Sequence, residues 1–421
     1  MNKIVARYII KSKESNAKDN YLWYALGSIF FALSSLVMTI AVSRTVGEQI
    51  GGMFSIGLSL SQIFMTVVGY EVRIYQVTDV KKEFSFEQYF TFRVLMCVLG
   101  VVAAVGYPLI NNYSPLKLKI VFLMCVYKII EAFADVFEGE FQKENRIDIV
   151  GKSMLFRTVF SVIGLIVSLA ISRNVVLSLV IMIVVEILCV ILLNLMPVTV
   201  FSKVRFIVDM KSIIKLLMIC GPLALSSFVN TYILNCSKLA IDNTMSDEYQ
   251  LYYSAVFMPN MVINLFSGII FKPMQVSMAV SYDRKQYKEF SNVIFKMIGI
   301  ISAFTLLCVM GAYLLGIPVL SFMYGVELKP YKNVLLLLLV AGGINAINVI
   351  LYYVLTIIRK QNLIAIIYLI VAGVSLLFVE KVTRIHGLTG AAVSYMVLVA
   401  MVMVLFALCI LYYVKDWRKE K

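Results

Sequence analysis

Charge is scarce in this chain. Asp, Glu, Lys and Arg together make up 15% of its 421 residues, against about 25% in a soluble globular domain. So little charge cannot coat a water-facing surface, which excludes a soluble enzyme. Histidine is rarer still, with His386 alone, and none of the seven cysteines belongs to a C-x-x-C pair. No zinc, haem or disulfide framework follows, so no metal or cofactor is expected, and the cysteines read as packing thiols within apolar runs. Long polar segments are missing too, which leaves no room for a catalytic domain outside the apolar runs. What remains is hydrophobicity: 61% of the residues are apolar and the mean hydropathy is +0.91. That richness in large apolar side chains excludes disorder.

A hydrocarbon core needs about 20 apolar residues per helical span. Runs of that kind fall at 21–43, 51–72, 89–110, 119–137, 154–172 and 175–197, and again at 216–237, 252–274, 292–316, 333–357, 362–380 and 387–414. The third and fourth are interrupted by Arg93, Lys128, Glu131 and Asp135. The first is too long for a signal-peptide core and no small-residue cleavage site follows it, so it reads as a retained helix. The fold class expected is an all-α polytopic membrane protein with about 12 transmembrane helices.

The net charge of +14 has a topological reading. Alternate loops and both tails carry 27 of the 38 Lys and Arg residues, 8 lie on the opposite side, and Lys128, Lys238 and Lys272 lie within runs. The positive-inside rule puts both termini in the cytoplasm. Nucleic acid is thereby dropped as a partner.

Polar residues recur at helical spacing inside several runs. Ser35, Thr39 and Ser43 share a face of the first, and Ser227, Thr231 and Asn235 repeat that spacing in the seventh. This similarity points to a six-helix repeat with halves 1–200 and 201–421. Ser55, Ser59, Gln62 and Thr66 line the second run, Asn260 and Asn264 the eighth, and Asn345, Asn348 and Tyr352 the tenth. Such stripes serve either helix packing or a hydrated cavity. Charges inside spans carry an insertion cost of at least about 2.5–3.5 kcal/mol each, so they face partners or water. Lys128, Glu131, Asp135 and Glu138 share one face of the fourth run, where Lys128 and Glu131 can neutralise each other at i, i+3. Glu186, alone in IMIVVEILCVILL, is either a hydrogen-bonded acid or an ion-coupling site. Gly221–Pro222 is expected to open the seventh helix.

Three segments resemble the oligosaccharide flippases (Wzx-type) of polysaccharide biosynthesis. That family belongs to the multidrug/oligosaccharidyl-lipid/polysaccharide exporter superfamily. The first is SRTVGEQIGGMFSIGLSLSQIFMTVVGYE, with Arg44, Gly47, Gly51 and Gly69. The second runs from Gly221–Pro222 to YYSAVF. The third is FMYGVELKPYKNVLLLLL with LTIIRKQN and HGLTGAAVSYMV.

The resemblance implies two six-helix bundles around a central cavity. It also implies a flippase, not an enzyme, that moves a polyprenyl-diphosphate-linked oligosaccharide to the outer leaflet by alternating access, for surface polymers such as O-antigen or capsule. On it, Arg44, Lys128, Lys238 and Lys272 become candidates for diphosphate contact. Asn230, Asn235, Asn260, Asn264, Asn345 and Asn348 become candidates for sugar hydroxyls, and Glu131, Asp135 and Glu186 for ion coupling. The partners implied are membrane lipid, the lipid-linked glycan, and the polymerase and glycosyltransferases of the same pathway, at a bacterial cytoplasmic membrane. The alternative is an ion-coupled multidrug antiporter of the same superfamily, against which the span Tyr21–Ser43 lacks any acidic residue.

Overall fold

The computed structural model describes residues 17–79, 82–260, 262–264, 266–267, 278 and 280–419. All regular structure among them is helical, and nine helices are long and apolar enough to cross a membrane. The first unit contains α1 (Ala17–Val46), α2 (Glu48–Gly69), α3 (Val72–Thr78), α4 (Phe86–Ile110), α5 (Pro115–Lys143), α6 (Ile147–Ser172) and α7 (Val175–Val190). The chain continues with α8 (Met210–Thr244), α9 (Asp247–Phe257), α10 (Tyr287–Gly311), α11 (Ile317–Tyr324), α12 (Lys332–Ile357) and α13 (Gln361–Lys419). Eleven of the twelve expected apolar runs fall on these helices, and the eighth begins on α9 and ends outside the described residues. The chain forms two compact units, Met1–Thr231 and Tyr232–Lys421, with α8 contributing to both.

The helix ends follow local chemistry. Ser85 and Gln88 form a reciprocal capping box at α4, which satisfies two otherwise orphaned N–H groups. Ser114 caps α5 with Pro115 in its first turn, where the missing proline N–H is not needed. Tyr70 and Glu71 adopt φ 49° and 55° and separate α2 from α3. Gly387, at φ 58° and ψ −141°, breaks α13 into the eleventh and twelfth expected spans. That backbone region is open to glycine and closed to nearly every other residue.

Prolines leave a repeated mark. The helix of α7 passes through a π turn at Ile191–Leu195 just before Pro197, and that of α10 through one at Ala312–Gly316 just before Pro318. A proline ring clashes with the carbonyl four residues earlier, here Leu193 and Leu314, and the wider turn draws that carbonyl aside. The seventh helix departs from expectation. It opens at Met210, leaving Pro222 in its interior, because Asp209 accepts from the Lys211 amide at 3.1 Å and from Ser212 Oγ at 2.6 Å at its start. Near the proline, Tyr70 Oη donates to the Leu217 carbonyl at 3.2 Å.

The first unit is divided along its length. An apolar cluster that includes Met38, Phe54, Leu58, Met124, Leu165, Leu169 and Leu179 fills the end where α1 and α6 finish and α2, α5 and α7 begin. The opposite end is polar. There Glu140 accepts from Ser202 Oγ at 2.5 Å, Thr91 Oγ1 accepts from the Ile207 amide at 2.9 Å, and Gln88 donates to Asp209 at 3.1 Å. These contacts, with the ion pair Lys215–Glu83, fasten the basic stretch that follows residue 200 onto α4 and α5.

The closest packing is between α1 and α6. A Cβ on Gly151 would collide with the Trp23 backbone, and one on Gly27 would lie 2.6 Å from the Gly151 carbonyl oxygen. Membrane helices gain little from hydrophobic exclusion, so close backbone approach at small residues supplies their attraction. Gly151→Val is expected to force α1 away from α6 and to cost about 1–3 kcal/mol, the usual range for overpacking. Thermal unfolding in detergent checks this, and a melting temperature equal to that of the parent protein contradicts it.

The turn between α3 and α4 rests on Asp79. Its buried carboxylate accepts from the amides of Glu83 at 2.9 Å and Phe84 at 3.1 Å, and from Tyr89 Oη at 3.0 Å. Burial pushes its pKa up, but the three hydrogen bonds outweigh it and hold the group below its ordinary value. A carboxylate with a lowered folded pKa stabilises above its unfolded value of about 3.9 and loses that contribution as pH falls through the folded value. Protection of the Glu83 and Phe84 amides in hydrogen exchange should therefore stay level from about pH 5 to 8. Asp79→Asn should reduce it, and unchanged protection in that variant would rule out the role.

Candidate functional site

Two polar regions stand out, one in each unit, and they differ in kind. In the first unit the buried charges form a chain. Arg93 on α4 donates to Asp135 on α5 at 3.0 Å, and Asp135 also accepts from Arg73 on α3 at 2.7 Å. Arg73 donates in addition to Glu138 at 2.9 Å. Arg157 on α6 lies 3.3 Å from Glu138 and 2.7 Å from Glu186 on α7. Ser161 Oγ closes the chain on Glu186 at 2.6 Å. Arginine and carboxylate alternate along the sequence Arg93, Asp135, Arg73, Glu138, Arg157 and Glu186, so the set is neutral and joins α3 through α7.

The chain reaches deep into the bundle. At 1.5 Å rise per residue, Arg157 lies about 15 Å along α6 from its start, and its side chain is 4% exposed while that of Glu186 is 0% exposed. Charges this deep persist only when paired and hydrogen-bonded. Asn194 in the π turn adds an acceptor, bonded to Ser153 Oγ at 2.7 Å and to Arg157 at 3.4 Å.

Arg73, Arg93 and Arg157 were not among the candidates from sequence, where they count as bases flanking cytoplasmic loops. The available signal was weak: FTFRVLMC places Arg93 inside an apolar run. Their acidic partners lie 19–65 residues distant in sequence, and no local spacing announces such pairs. The acids Glu131, Asp135 and Glu186 are each held by a base: Lys128, the pair Arg73 and Arg93, and Arg157.

Lys128 bonds Glu131 at 2.5 Å and lies over the rings of Phe31 and Tyr127 at 4.8 and 5.3 Å. Its charge is thus balanced within its own helix. Arg44 is exposed in the last turn of α1, and Asn230 on α8 is half-buried. Lys272 lies outside the described residues.

The second unit gathers the other candidates. Lys238 on α8 is half-buried, its ammonium 4.6 Å from the centre of the Phe257 ring. No described carboxylate pairs with it, in contrast to Lys128. Phe257 packs edge-on against Tyr395 at 5.3 Å and stacks with Tyr253 at 6.0 Å. The break at Gly387 sets this arrangement. It starts the second half of α13 so that the Ala391 carbonyl accepts from Ser237 Oγ at 2.9 Å and Tyr395, two turns into that half, meets Phe257. The residues HGLTGAAVSYMV thus fix the helix that carries Lys238.

The same unit holds buried polar groups with no hydrogen-bond partner among the described residues. Asn260 is 2% exposed, and neither its amide nitrogen nor its oxygen is bonded by any described residue. Asn348 donates to the Val399 carbonyl at 2.8 Å, leaving Oδ1 unpartnered among the described residues. Gln250 and Ser394, neither predicted from sequence, are buried in the same condition. Buried polar atoms are otherwise almost always bonded, so water or a ligand hydroxyl is the chemistry they fit. Asn235 is buried with a partner, Asn345 half-buried and Asn264 exposed.

The pairing in the first unit can be measured. Arg157→Met leaves Glu138 and Glu186 buried with too little positive charge, a defect worth about 3–5 kcal/mol. The double variant Arg157→Met, Glu186→Met removes one buried charge of each sign and should recover part of that loss. Unfolding in detergent of both single variants and the double variant gives the coupling. Strictly additive losses would contradict a direct Arg157–Glu186 pair.

No curated protein matches the chain. Among solved structures, an inward-facing multidrug resistance MATE family transporter of the MOP superfamily is similar, with TM-score 0.60 and 11% identity over 94% of this chain and 95% of that one. A MOP superfamily transporter from Pyrococcus furiosus, described as having a binding pocket of reverse polarity, gives TM-score 0.58 and 12% identity over 99% and 96%. A Vibrio cholerae MATE transporter gives TM-score 0.58 and 13% identity over 95% and 97%. At such identities the likeness is one of fold, and the chain is a multi-pass membrane protein with the MOP superfamily fold. The family described as polysaccharide biosynthesis protein matches residues 49–333; the chain belongs to that family.

Proposed function

We propose that this protein is a flippase that carries a polyprenyl-diphosphate-linked oligosaccharide from the cytoplasmic to the outer leaflet by alternating access. The observation that carries this reading is the conjunction of family and site. A member of a polysaccharide biosynthesis family holds in its second unit both a cation, Lys238, unpaired among the described residues, and buried amides that lack partners there. Glycan and diphosphate lose water without replacement in hydrocarbon, so their passage requires polar groups that are not already satisfied by the protein. Lys238 offers a point charge to the diphosphate. Asn260 and Asn348 Oδ1, with Gln250, offer donors and acceptors to sugar hydroxyls.

Arg44, Lys128 and Lys272 remain further candidates for the anion, and Asn230, Asn235, Asn264 and Asn345 for the sugars. Lys128 ranks below Lys238 because Glu131 already balances it. Ion coupling through Glu131, Asp135 or Glu186 would require each acid to exchange its base for the coupling ion during the cycle. The halves 1–200 and 201–421 would supply the two bundles that rock. A bacterial cytoplasmic membrane, cytoplasmic termini, O-antigen or capsule as the product, and polymerase and glycosyltransferases of the same pathway as partners complete the proposal.

The multidrug reading has one observation in its favour, the MATE family neighbours in fold. The absence of any acid from Tyr21–Ser43 and the family match weigh against it.

Lys238→Ala is expected to reduce surface polysaccharide severely and to make lipid-linked precursor accumulate inside the cell, at unchanged protein level. Asn260→Ala should give the same direction with a smaller effect, about ten-fold or less, as expected for loss of one or two hydrogen bonds. Normal surface polymer in both variants, or resistance to cationic dyes with no change in glycan, would overturn the assignment.

A further inference from the structure

The second unit carries an open groove of about 690 Å³ along the π turn that follows α10, along α11 and under the turn that leads into α12. Its wall is apolar: Tyr313, Leu314 and Ile317 line it, the first two 56% and 71% exposed. Its rim is charged, with Glu327, Lys329 and Lys332. The π turn at Ala312–Gly316 carries Tyr313 and Leu314, so the irregularity set by Pro318 shapes this wall.

The wall belongs to a stretch, Tyr287–Tyr324, long and apolar enough to cross the membrane, and the rim lies at the start of the next such stretch, Lys329–Ile357. Acyl chains are the natural neighbours of the first, and headgroups of the second. The Lys332 ammonium sits 3.6 Å from the centre of the Tyr313 ring, joining rim to wall. Neither lysine forms an ion pair with a described residue. With Glu327 in the same rim, the groove has one net positive charge.

We propose that this groove is a binding site for an anionic phospholipid of the surrounding bilayer. The phosphate lies between Lys329 and Lys332, and one acyl chain runs along Tyr313, Leu314 and Ile317. Three features select a bilayer lipid. The groove is open, so a lipid enters sideways without crossing protein. Its wall is continuous with other exposed apolar residues of the same helix, Leu315 at 65% and Phe322 at 78%. Its net charge matches a monoanionic phosphodiester. The site is separate from the transport residues proposed above and does not depend on them.

The full chain is placed in nanodiscs containing equal phosphatidylglycerol and phosphatidylcholine, extracted gently, and its retained lipid identified by native mass spectrometry. Parent protein should retain phosphatidylglycerol over phosphatidylcholine by about five-fold, the effect of roughly one basic residue at a membrane surface. Lys329→Gln with Lys332→Gln should abolish the preference, while Lys381→Gln, an exposed base outside the groove lining, should keep it. No preference in the parent, a preference that survives the double substitution, or an equal loss in Lys381→Gln would overturn the proposal. Displacement of the retained phosphatidylglycerol by an equimolar polyprenyl diphosphate would also overturn it, assigning the groove to a lipid-linked substrate.

Discussion

Buried charge has to be neutralised where it stands, and in this protein that constraint organises the whole first unit. Three arginines and three carboxylates alternate from Arg93 to Glu186 and tie five helices together at one end. The opposite end is held by apolar packing around Phe54, Met124 and Leu165. The two kinds of cohesion fail differently. An apolar core loses stability gradually when a side chain shrinks, whereas a charge chain fails sharply when one member leaves. A bundle built this way is stiff at its charged end, because directional bonds link α3, α4 and α6 to α5, and α7 to α6.

The second unit follows another rule. Its described polar groups are not consumed by one another: Lys238 rests on an aromatic face, and the amides of Asn260 and Gln250 are buried without partners among the described residues. Groups left unsatisfied in this way carry a standing cost, which a ligand bearing hydroxyls and phosphate would remove on arrival. The contrast between charges paired with one another in the first unit and a lysine with no described counter-charge in the second is the physical argument for placing ligand contact in the second and scaffold in the first.

Much of this was legible in the sequence, for identifiable reasons. Span positions were legible because hydropathy is local, and the break between the last two spans because HGLTGAA holds the glycine that the left-handed turn at Gly387 needs. The Lys128–Glu131 pair was legible because i, i+3 neighbours on a helix meet without help from tertiary structure. Arg73, Arg93 and Arg157 were not, because a base at a span end reads as a topological signal until its distant carboxylate is seen. The helical start at Met210 was missed for a related reason. The Asp209 cap is local, but Gly221–Pro222 is the louder signal, and the contacts that hold residues 202–212 against α4 and α5 are tertiary.

The central claim is that the protein alone moves a lipid-linked glycan across a bilayer. Purified protein in sealed vesicles, loaded on one leaflet with a short polyprenyl-diphosphate oligosaccharide and probed from the other side with a membrane-impermeant lectin or glycosidase, tests it directly. Time-dependent exposure of the glycan that requires the protein is expected. Glycan that stays on its original leaflet while the same vesicles export a cationic dye would contradict the claim and favour multidrug transport.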